Sequence, residues 1–253
     1  MSLHHCRDSN GKLAVHPLEE FYPNAYSRRT TILPQIEETT IASRLDYDAM
    51  PFDSMNRDAA SETIAAFTCP STPLSSSFKA LDAPMGKPTD RSLGRTDYEH
   101  VFIVATEVTV PSQIATYTAI PGAWFGKSNY EVGDPHARHP FEYESKNARN
   151  GASIKWIADG LSKTVMLVEK AGQRRWHDTQ YGAKTSIDAG GAWIEGERGA
   201  LAKHPINESN YSGLFAFHPS GAHVVMCDGS AQLLSMGLDV DVLVHLCARS
   251  DGQ

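Results

Sequence analysis

The run Gly213-Leu-Phe-Ala-Phe-His-Pro-Ser-Gly-Ala-His-Val-Val-Met-Cys-Asp-Gly-Ser-Ala-Gln-Leu-Leu-Ser235 constrains the fold more than any other stretch of the chain. Asp228-Gly229 lies between two alternating apolar segments, among the strongest short-range signals for a β-hairpin. A two-residue type I′ turn needs positive φ at both central positions, which Gly229 adopts without steric cost. Cys227 then pairs with Ser230, Met226 faces Ala231, Val225 faces Gln232 and Val224 faces Leu233. One face carries Ala222, Val224, Met226, Ala231 and Leu233 and is predicted to be core. The other carries His223, Val225, Cys227, Ser230, Gln232 and Leu234, a mixed set that suits a loop, a helix or water. Upstream, Leu214 to Phe217 reads as a third strand turned by Pro219-Ser220-Gly221, so residues 213–235 are predicted to form a three-stranded meander.

Other short patterns precede this segment in a definite order. Residues 157–169 read Ile-Ala-Asp-Gly-Leu-Ser-Lys-Thr-Val-Met-Leu-Val-Glu, a D-G-x-S-x-T turn (Asp159, Gly160, Ser162) leading into a strand that ends in Glu169. Earlier come Cys69-Pro70-Ser71, the segment Thr31-Ile-Leu-Pro-Gln-Ile-Glu37, and an opening Leu3-His-His-Cys-Arg-Asp-Ser-Asn-Gly11. His218 is followed by nine residues and then Asp228-Gly229, and Leu243 to Gly252 lies at the end of the chain, before Gln253. Together these resemble the motifs, in order, of a large bacterial family of prepilin-like secreted proteins of unassigned function, the domain-of-unknown-function family 1559, whose members end in an H-x9-D-G segment. The chain departs from the family pattern at Ser220 and His223, where Gly and Asn are usual, and at Arg7, where His is usual.

The resemblance implies an α+β, pilin-like fold with a truncated N-terminal helix packed on an antiparallel sheet elaborated by long loops. In the family the Leu-His opening follows a prepilin leader and a long apolar helix, so Met1-Ser2 reads as a start and linker joined to a shortened chain. It further implies an extracytoplasmic head, periplasmic or at the cell surface, anchored by that helix. Its partners would be other prepilin-like subunits or the secretion and assembly machinery. Without the helix, the chain itself is expected to be a monomer or a weak oligomer.

With 253 residues and motifs spread from end to end, a single domain is expected, and 41% hydrophobic content suffices for an ordinary core. The net charge of −7 and the lack of any basic run longer than Arg28-Arg29 or Arg174-Arg175 argue against nucleic acid as a partner. No stretch approaches the roughly 18 to 20 consecutive apolar residues needed to span a bilayer. Cys6, Cys69, Cys227 and Cys247 form no C-x-x-C pair and no zinc-finger spacing. Disulfide pairing is left open.

Along the chain, residues 1–12 read as the end of the truncated helix, stopped at Gly11. Pro34 is predicted to begin a short helix through Leu45, burying Ile36, Ile41 and Leu45. Residues 71–96, rich in Ser and Pro, read as an irregular, mobile loop. Val101 to Ala105 and Val165 to Val168 read as strands, and Gly122 to Asn150 as a long surface excursion. Trp193 is placed in a strand bounded by glycines. Asp239 caps a helix to about Ala248, with Val242 and Leu246 inward.

The chemistry-bearing residues admit structural readings first. His218 can end a strand and bond a loop, while Asp228 bonds its own backbone in the turn. Asp159 and Ser162 fit an Asx or Ser turn better than a nucleophile with its base. Glu169 suits either a buried partner of an arginine or a solvated strand end. His4-His5-Cys6 lacks the side-chain convergence of a metal site, and Asp46, Asp48 and Asp53 lack the Gly and distal Glu of an EF-hand. No nucleophile elbow, zincin helix, phosphate loop or dinucleotide fingerprint occurs. The expected function is therefore noncatalytic, with no cofactor and no metal assigned. Two alternatives carry distinct signatures: a carbohydrate- or ion-binding module using Trp124 and Tyr130 in the 122–150 excursion, and a hydrolase using His218 and an acidic partner. A concave polar pocket lined by Asp228, His218 and Glu169 favours the hydrolase; an exposed aromatic platform favours binding.

Overall fold

The computed structural model describes residues 26–82, 87–108, 116–121, 157–173, 177, 191–195, 200–201, 204–210 and 213–247. The predicted helix end at 1–12, the 122–150 excursion with Trp124 and Tyr130, and Cys6 lie outside the described residues. Two sheets, paired antiparallel apart from one parallel strand, and short helices, among them α1 (Thr39–Ala42), α2 (Arg57–Ser61) and α3 (Val240–Cys247), make an α+β fold. Strands β1 (Ser77–Asp82) and β2 (Lys87–Gly94) form a two-stranded sheet. Strands β3 (Tyr98–Val108), β4 (Thr116–Pro121), β5 (Val165–Glu169), β6 (Ala200–Leu201), β7 (Gly221–Met226) and β8 (Ala231–Ser235) form the larger sheet. Its order is β4-β3-β5-β7-β8, with β6 pairing parallel to β3.

β5 sits at the centre because its sequence, Val-Met-Leu-Val-Glu, is apolar on both faces. A short continuous apolar run bounded by turns suits a strand covered on both sides. Its neighbours are distant in sequence: Tyr98 pairs with Glu169 on one edge and Val168 with Val224 on the other. The helix α3 (Val240–Cys247) packs Leu243, Val244 and Cys247 on Val101, Val168, Val224 and Leu234. A second cluster gathers Tyr26, Leu33, Ile41, Ile64, Leu93 and Trp193 beside the β1–β2 sheet. Trp193 is fully buried and its ring N–H donates to Glu62 O at 2.9 Å, which removes the cost of an unpaired indole donor.

The hairpin forms, in a different register. Val225 pairs with Ala231, Val224 with Gln232 and Ala222 with Leu234, one residue away from the predicted alignment. The loop has three residues, not two: Met226 N donates to Ser230 O at 2.8 Å, and Gly229 N to Met226 O at 2.9 Å. Only Gly229 has positive φ, at 89°. Asp228 instead accepts from Ser230 N at 2.8 Å and from Ser230 Oγ at 2.7 Å. A three-residue loop with glycine in the left-handed position spares Asp228 the positive φ a type I′ turn demands. The apolar pattern does not oppose the slip, because Leu233 and Leu234 are adjacent and either register buries one of them. Leu234 is buried and Leu233 is 46% exposed, the reverse of the prediction.

Five further expectations need correction. Leu214 to Phe217 is not a third strand of a meander; it makes one parallel bridge, Phe215 to Lys170, because β5 occupies the edge of β7. Residues 71–96 are not wholly an irregular loop. Alternation in Ser77–Asp82 lets β1 pair with β2, and Phe78 and Leu93 pack on the Trp193 cluster. The helix predicted from Pro34 is split, with a 3-10 segment Arg28–Ile36 containing Pro34 and then α1 (Thr39–Ala42), separated by Glu37 in a left-handed conformation. Ile36, Ile41 and Leu45 still reach the second cluster. On α3, Asp239 Oδ1 accepts from Asp241 N at 2.8 Å as a cap, but Val242 is 46% exposed and Leu243, Val244 and Cys247 form the buried stripe. Trp193 itself lies in a buried bend between single bridges at Ala192 and Glu195 and not in a strand.

Candidate functional site

Two buried carboxylates at the junction of β3 and β5 gather the motif segments. Asp97, fully buried just before β3, accepts from Cys69 N at 2.9 Å, Thr72 Oγ1 at 3.1 Å and Gly172 N at 3.2 Å, and pairs with Arg95 at 3.1 Å. Its own peptide extends the join: Asp97 N donates to Phe67 O, and Lys170 N donates to Asp97 O, each at 2.8 Å. Cys69-Pro70-Ser71-Thr72 is a β-turn closed by Thr72 N donating to Cys69 O at 3.1 Å, with Pro70 at the position its fixed φ favours. That turn leaves Pro70 and Ser71 exposed and aims Cys69 inward. Burial raises the Asp97 carboxyl above its ordinary range, with the Cys69 amide and Arg95 working in the opposite direction.

Glu169 ends β5 with its side chain fully buried. Its Oε2 accepts from His223 N at 2.5 Å and lies 3.2 Å from His223 Nδ1, while Oε1 lies 3.2 Å from His218 Nε2. His218 Nε2 is also 3.2 Å from His223 Nδ1 and 3.4 Å from Cys69 Sγ. The rings of His218 and His223 meet edge to face with centroids 4.6 Å apart. Asn207 fixes the loop carrying His218, donating to His218 O at 3.2 Å and Gly221 O at 3.4 Å and accepting from Ala216 N at 2.7 Å. His223 faces out of β7 by simple alternation, between buried Ala222 and Val224. Exposure rises across the cluster from Cys69 and Glu169, both buried, to the His218 side chain at 19% and that of His223 at 47%.

Cys69, His218 and Glu169 are the residue types of a nucleophile, base and orienting acid, but the atoms meet differently. In such a triad the nucleophile and the acid address opposite ring nitrogens of the histidine. Here Cys69 Sγ and Glu169 Oε1 converge on the same atom, Nε2. The thiol is raised above its ordinary value, first by burial and then by its hydrogen bond to Glu169. A reactive cysteine needs the reverse shift.

A family model described as "protein of unknown function (DUF1559)" matches residues 7–241. The chain belongs to this family. Among curated proteins and among solved structures, none is significantly similar to it.

For this DUF1559 chain, three of the motif segments converge: Cys69 of C-P-S, Glu169 after the D-G-x-S-x-T turn, and His218 of H-x9-D-G. Asp228 does not join them. It stands five positions beyond His223 along β7 and its loop, at most about 17 Å at ~3.4 Å per residue, and its carboxylate bonds Ser230 instead. Asp159, Gly160 and Ser162 also stand apart, in a turn where Gly160 O accepts from Lys163 N and from Thr164 Oγ1, each at 3.1 Å. That turn docks on the hairpin loop, with Cys227 N donating to Thr164 O at 2.8 Å and Asp228 N to Leu161 O at 3.0 Å. Gly221, on β7, passes so close to β8 that no side chain fits between them. Among the described residues, the partners of buried Glu169 are two histidines and not an arginine. Cys69, Cys227 and Cys247 are free thiols. Sequence reasoning missed Asp97, which has no repeated motif around it, and placed His223 on the mixed face of the hairpin and among the departures from the family pattern without joining it to Glu169.

Proposed function

We propose that this protein is the noncatalytic head domain of an extracytoplasmic, prepilin-like protein, carried at the membrane or in a fibre by an apolar N-terminal helix. Its partners are other prepilin-like subunits or the machinery that assembles them, and the head alone is monomeric or weakly associated. One observation supports the noncatalytic part best: polar groups of three separate motif segments turn towards one another without the geometry of a catalytic triad. Glu169 takes a backbone amide and two imidazoles, while Asp97 takes two backbone amides, a hydroxyl and an arginine. Both carboxylates thereby tie chain segments together, and the cluster lacks the geometry of a nucleophile with its base, since Cys69 Sγ and Glu169 Oε1 meet the same ring nitrogen of His218. The anchoring and localisation rest on the ordered motifs described above.

The deciding experiment uses the native gene and cells. Reading upstream of the Leu3 codon should reveal a leader and an apolar helix of about 20 residues. Protease added to intact cells with a permeabilised outer layer should then degrade the head. A native product that fractionates with cytosolic proteins and resists the protease would overturn the reading.

A further inference from the structure

We propose that Cys69, Glu169, His218 and His223 form a binding site for a divalent cation of the zinc class. Thiolate, imidazole and carboxylate are the donors that borderline-soft Zn²⁺ prefers. One ligand atom from each of Cys69, Glu169 and His218 lies within 4.8 Å of the other two. The spacing within the cluster is the stronger observation. With metal bonds of about 2.0–2.1 Å to nitrogen and oxygen and about 2.3 Å to sulfur, a tetrahedron has edges of roughly 3.3 Å between N and O and 3.6 Å between N and S. The contacts from His218 Nε2 to Glu169 Oε1 and to His223 Nδ1 are both 3.2 Å, and to Cys69 Sγ 3.4 Å.

Proton supply points the same way. His218 Nε2 faces three heteroatoms at hydrogen-bond range, yet a ring nitrogen carries at most one proton. His223 Nδ1 faces both Glu169 Oε2 and His218 Nε2 with the same limit. With Glu169 ionised, at most three hydrogens, one on Cys69 and one on each of the two ring nitrogens, are available for four short contacts, and a cation accepts the lone pairs left over. Binding expels the thiol proton to solvent, leaving Cys69 as thiolate, and Glu169 supplies the second negative charge, so Zn²⁺ is neutralised. The ligands are held from outside the cluster: His223 N–H fixes Glu169, Asp97 fixes the Cys69 amide, and Asn207 fixes the His218 loop. Half-exposed His223 forms the mouth through which an ion enters. Cys69, Glu169 and His218 lie deeper and form the core of the site, and half-exposed His223 is the accessory ligand. This inference is independent of where the protein resides.

The test is titration of Co²⁺ into chelator-treated, full-length protein, followed by absorption. We expect one ion per chain, a thiolate-to-cobalt charge-transfer band, the intense visible bands of four-coordinate cobalt, and displacement by Zn²⁺. Cys69→Ser should abolish the charge-transfer band. His218→Ala should weaken binding at least ~100-fold, beyond the ~10–100-fold typical of losing an outer-shell partner. His223→Asn, a surface change that should leave the fold intact, should weaken binding by about 10-fold or more and keep the thiolate band. Wild-type protein without the band would overturn the proposal whatever the variants do. A band that survives Cys69→Ser would overturn it too, placing the ion on another cysteine such as Cys6.

Discussion

Replacing Gly221 with alanine should be among the most damaging one-carbon changes available in this protein. Gly221 opens β7 with φ of +155°, in a region that side-chain-bearing residues avoid. A Cβ there would lie 1.8 Å from Leu234 O, 2.8 Å from Leu234 C and 3.1 Å from Ser235 Cα. All three are backbone atoms of the paired strand, so no rotamer change relieves the clash. Reaching even 3.0 Å from the carbonyl requires β8 to retreat by 3.0 − 1.8 = 1.2 Å. Such a retreat opens the pairing at Gly221–Ser235 and strains the bond from Met236 N to Ser220 O. Backbone strain contributes on the order of 1–3 kcal/mol. One or two weakened ladder bonds add about 1 kcal/mol each. Partial withdrawal of buried Leu234 adds about 1 kcal/mol, against ~1.5–3 for its full exposure. The expected loss is therefore about 3–6 kcal/mol, a large share of the ~5–15 kcal/mol typical of a domain. Urea unfolding followed by tryptophan fluorescence measures it. Gly237→Ala is the control: its nearest neighbour would be a serine hydroxyl at 3.8 Å, and it should stay within about 0.5 kcal/mol of wild type. A Gly221→Ala protein within about 1 kcal/mol of wild type would show that β8 yields freely and that the close approach is not a constraint.

Asp97→Ala should cost about 3–5 kcal/mol, because it strands buried Arg95 along with two amides and a hydroxyl; Asp97→Asn should be milder, and equal melting of the two variants would refute the role of the charge. Gly229→Val should lose on the order of 1–3 kcal/mol from its positive φ, whereas Gly229→Asn should lose less, and a Val variant that melts like wild type would count against the three-residue loop. Alkaline pH should destabilise the fold. Burial raises the Cys227 and Cys247 thiols to about 12, so between about pH 9 and 12 the unfolded chain releases protons that the folded chain keeps, and stability falls as pH rises. Urea midpoints should drop across that window, less so in a Cys227→Ser, Cys247→Ala double variant; a flat profile in wild type would contradict the burial of these thiols.

Which features were legible in sequence follows from whether a local pattern had one solution or two. The run Val165 to Val168 had one, since nothing but a strand covered on both faces suits four apolar residues between turns. Asp239 had one as well, standing before an apolar periodic segment as a helix cap. The inward stripe of α3 had several, because Val240, Val242, Leu243, Val244 and Leu246 offer more than one helical face, and the sheet beneath selected Leu243, Val244 and Cys247. Leu233 and Leu234 left the hairpin register equally open. There the deciding interaction was a side chain, Asp228 Oδ1 bonding Ser230, which excluded the shorter turn. In 71–96 the Ser and Pro content obscured a weak alternation that only becomes a strand against the Trp193 cluster.

The site was hidden by a different obstacle, the distance along the chain between its parts. The H-x9-D-G motif names His218 and Asp228 together, but the fold parts them. An extended β7 carries Asp228 to the far end of the sheet, while alternation alone keeps His223 on the exposed face near the strand's start. Glu169 reaches both histidines because β5, not Leu214–Phe217, lies beside β7, and Cys69 arrives because Asp97 ties its turn to the peptide at Lys170. Each of these contacts joins residues dozens to more than a hundred positions apart, so no window of sequence contains the cluster. What the sequence does contain is each donor at the end or edge of a short apolar element. In a fold of crossing strands, those strand ends are where side chains from distant segments can meet, which makes a polar residue that closes an apolar run, as Glu169 does, a better pointer to the site than the spacing of a named motif.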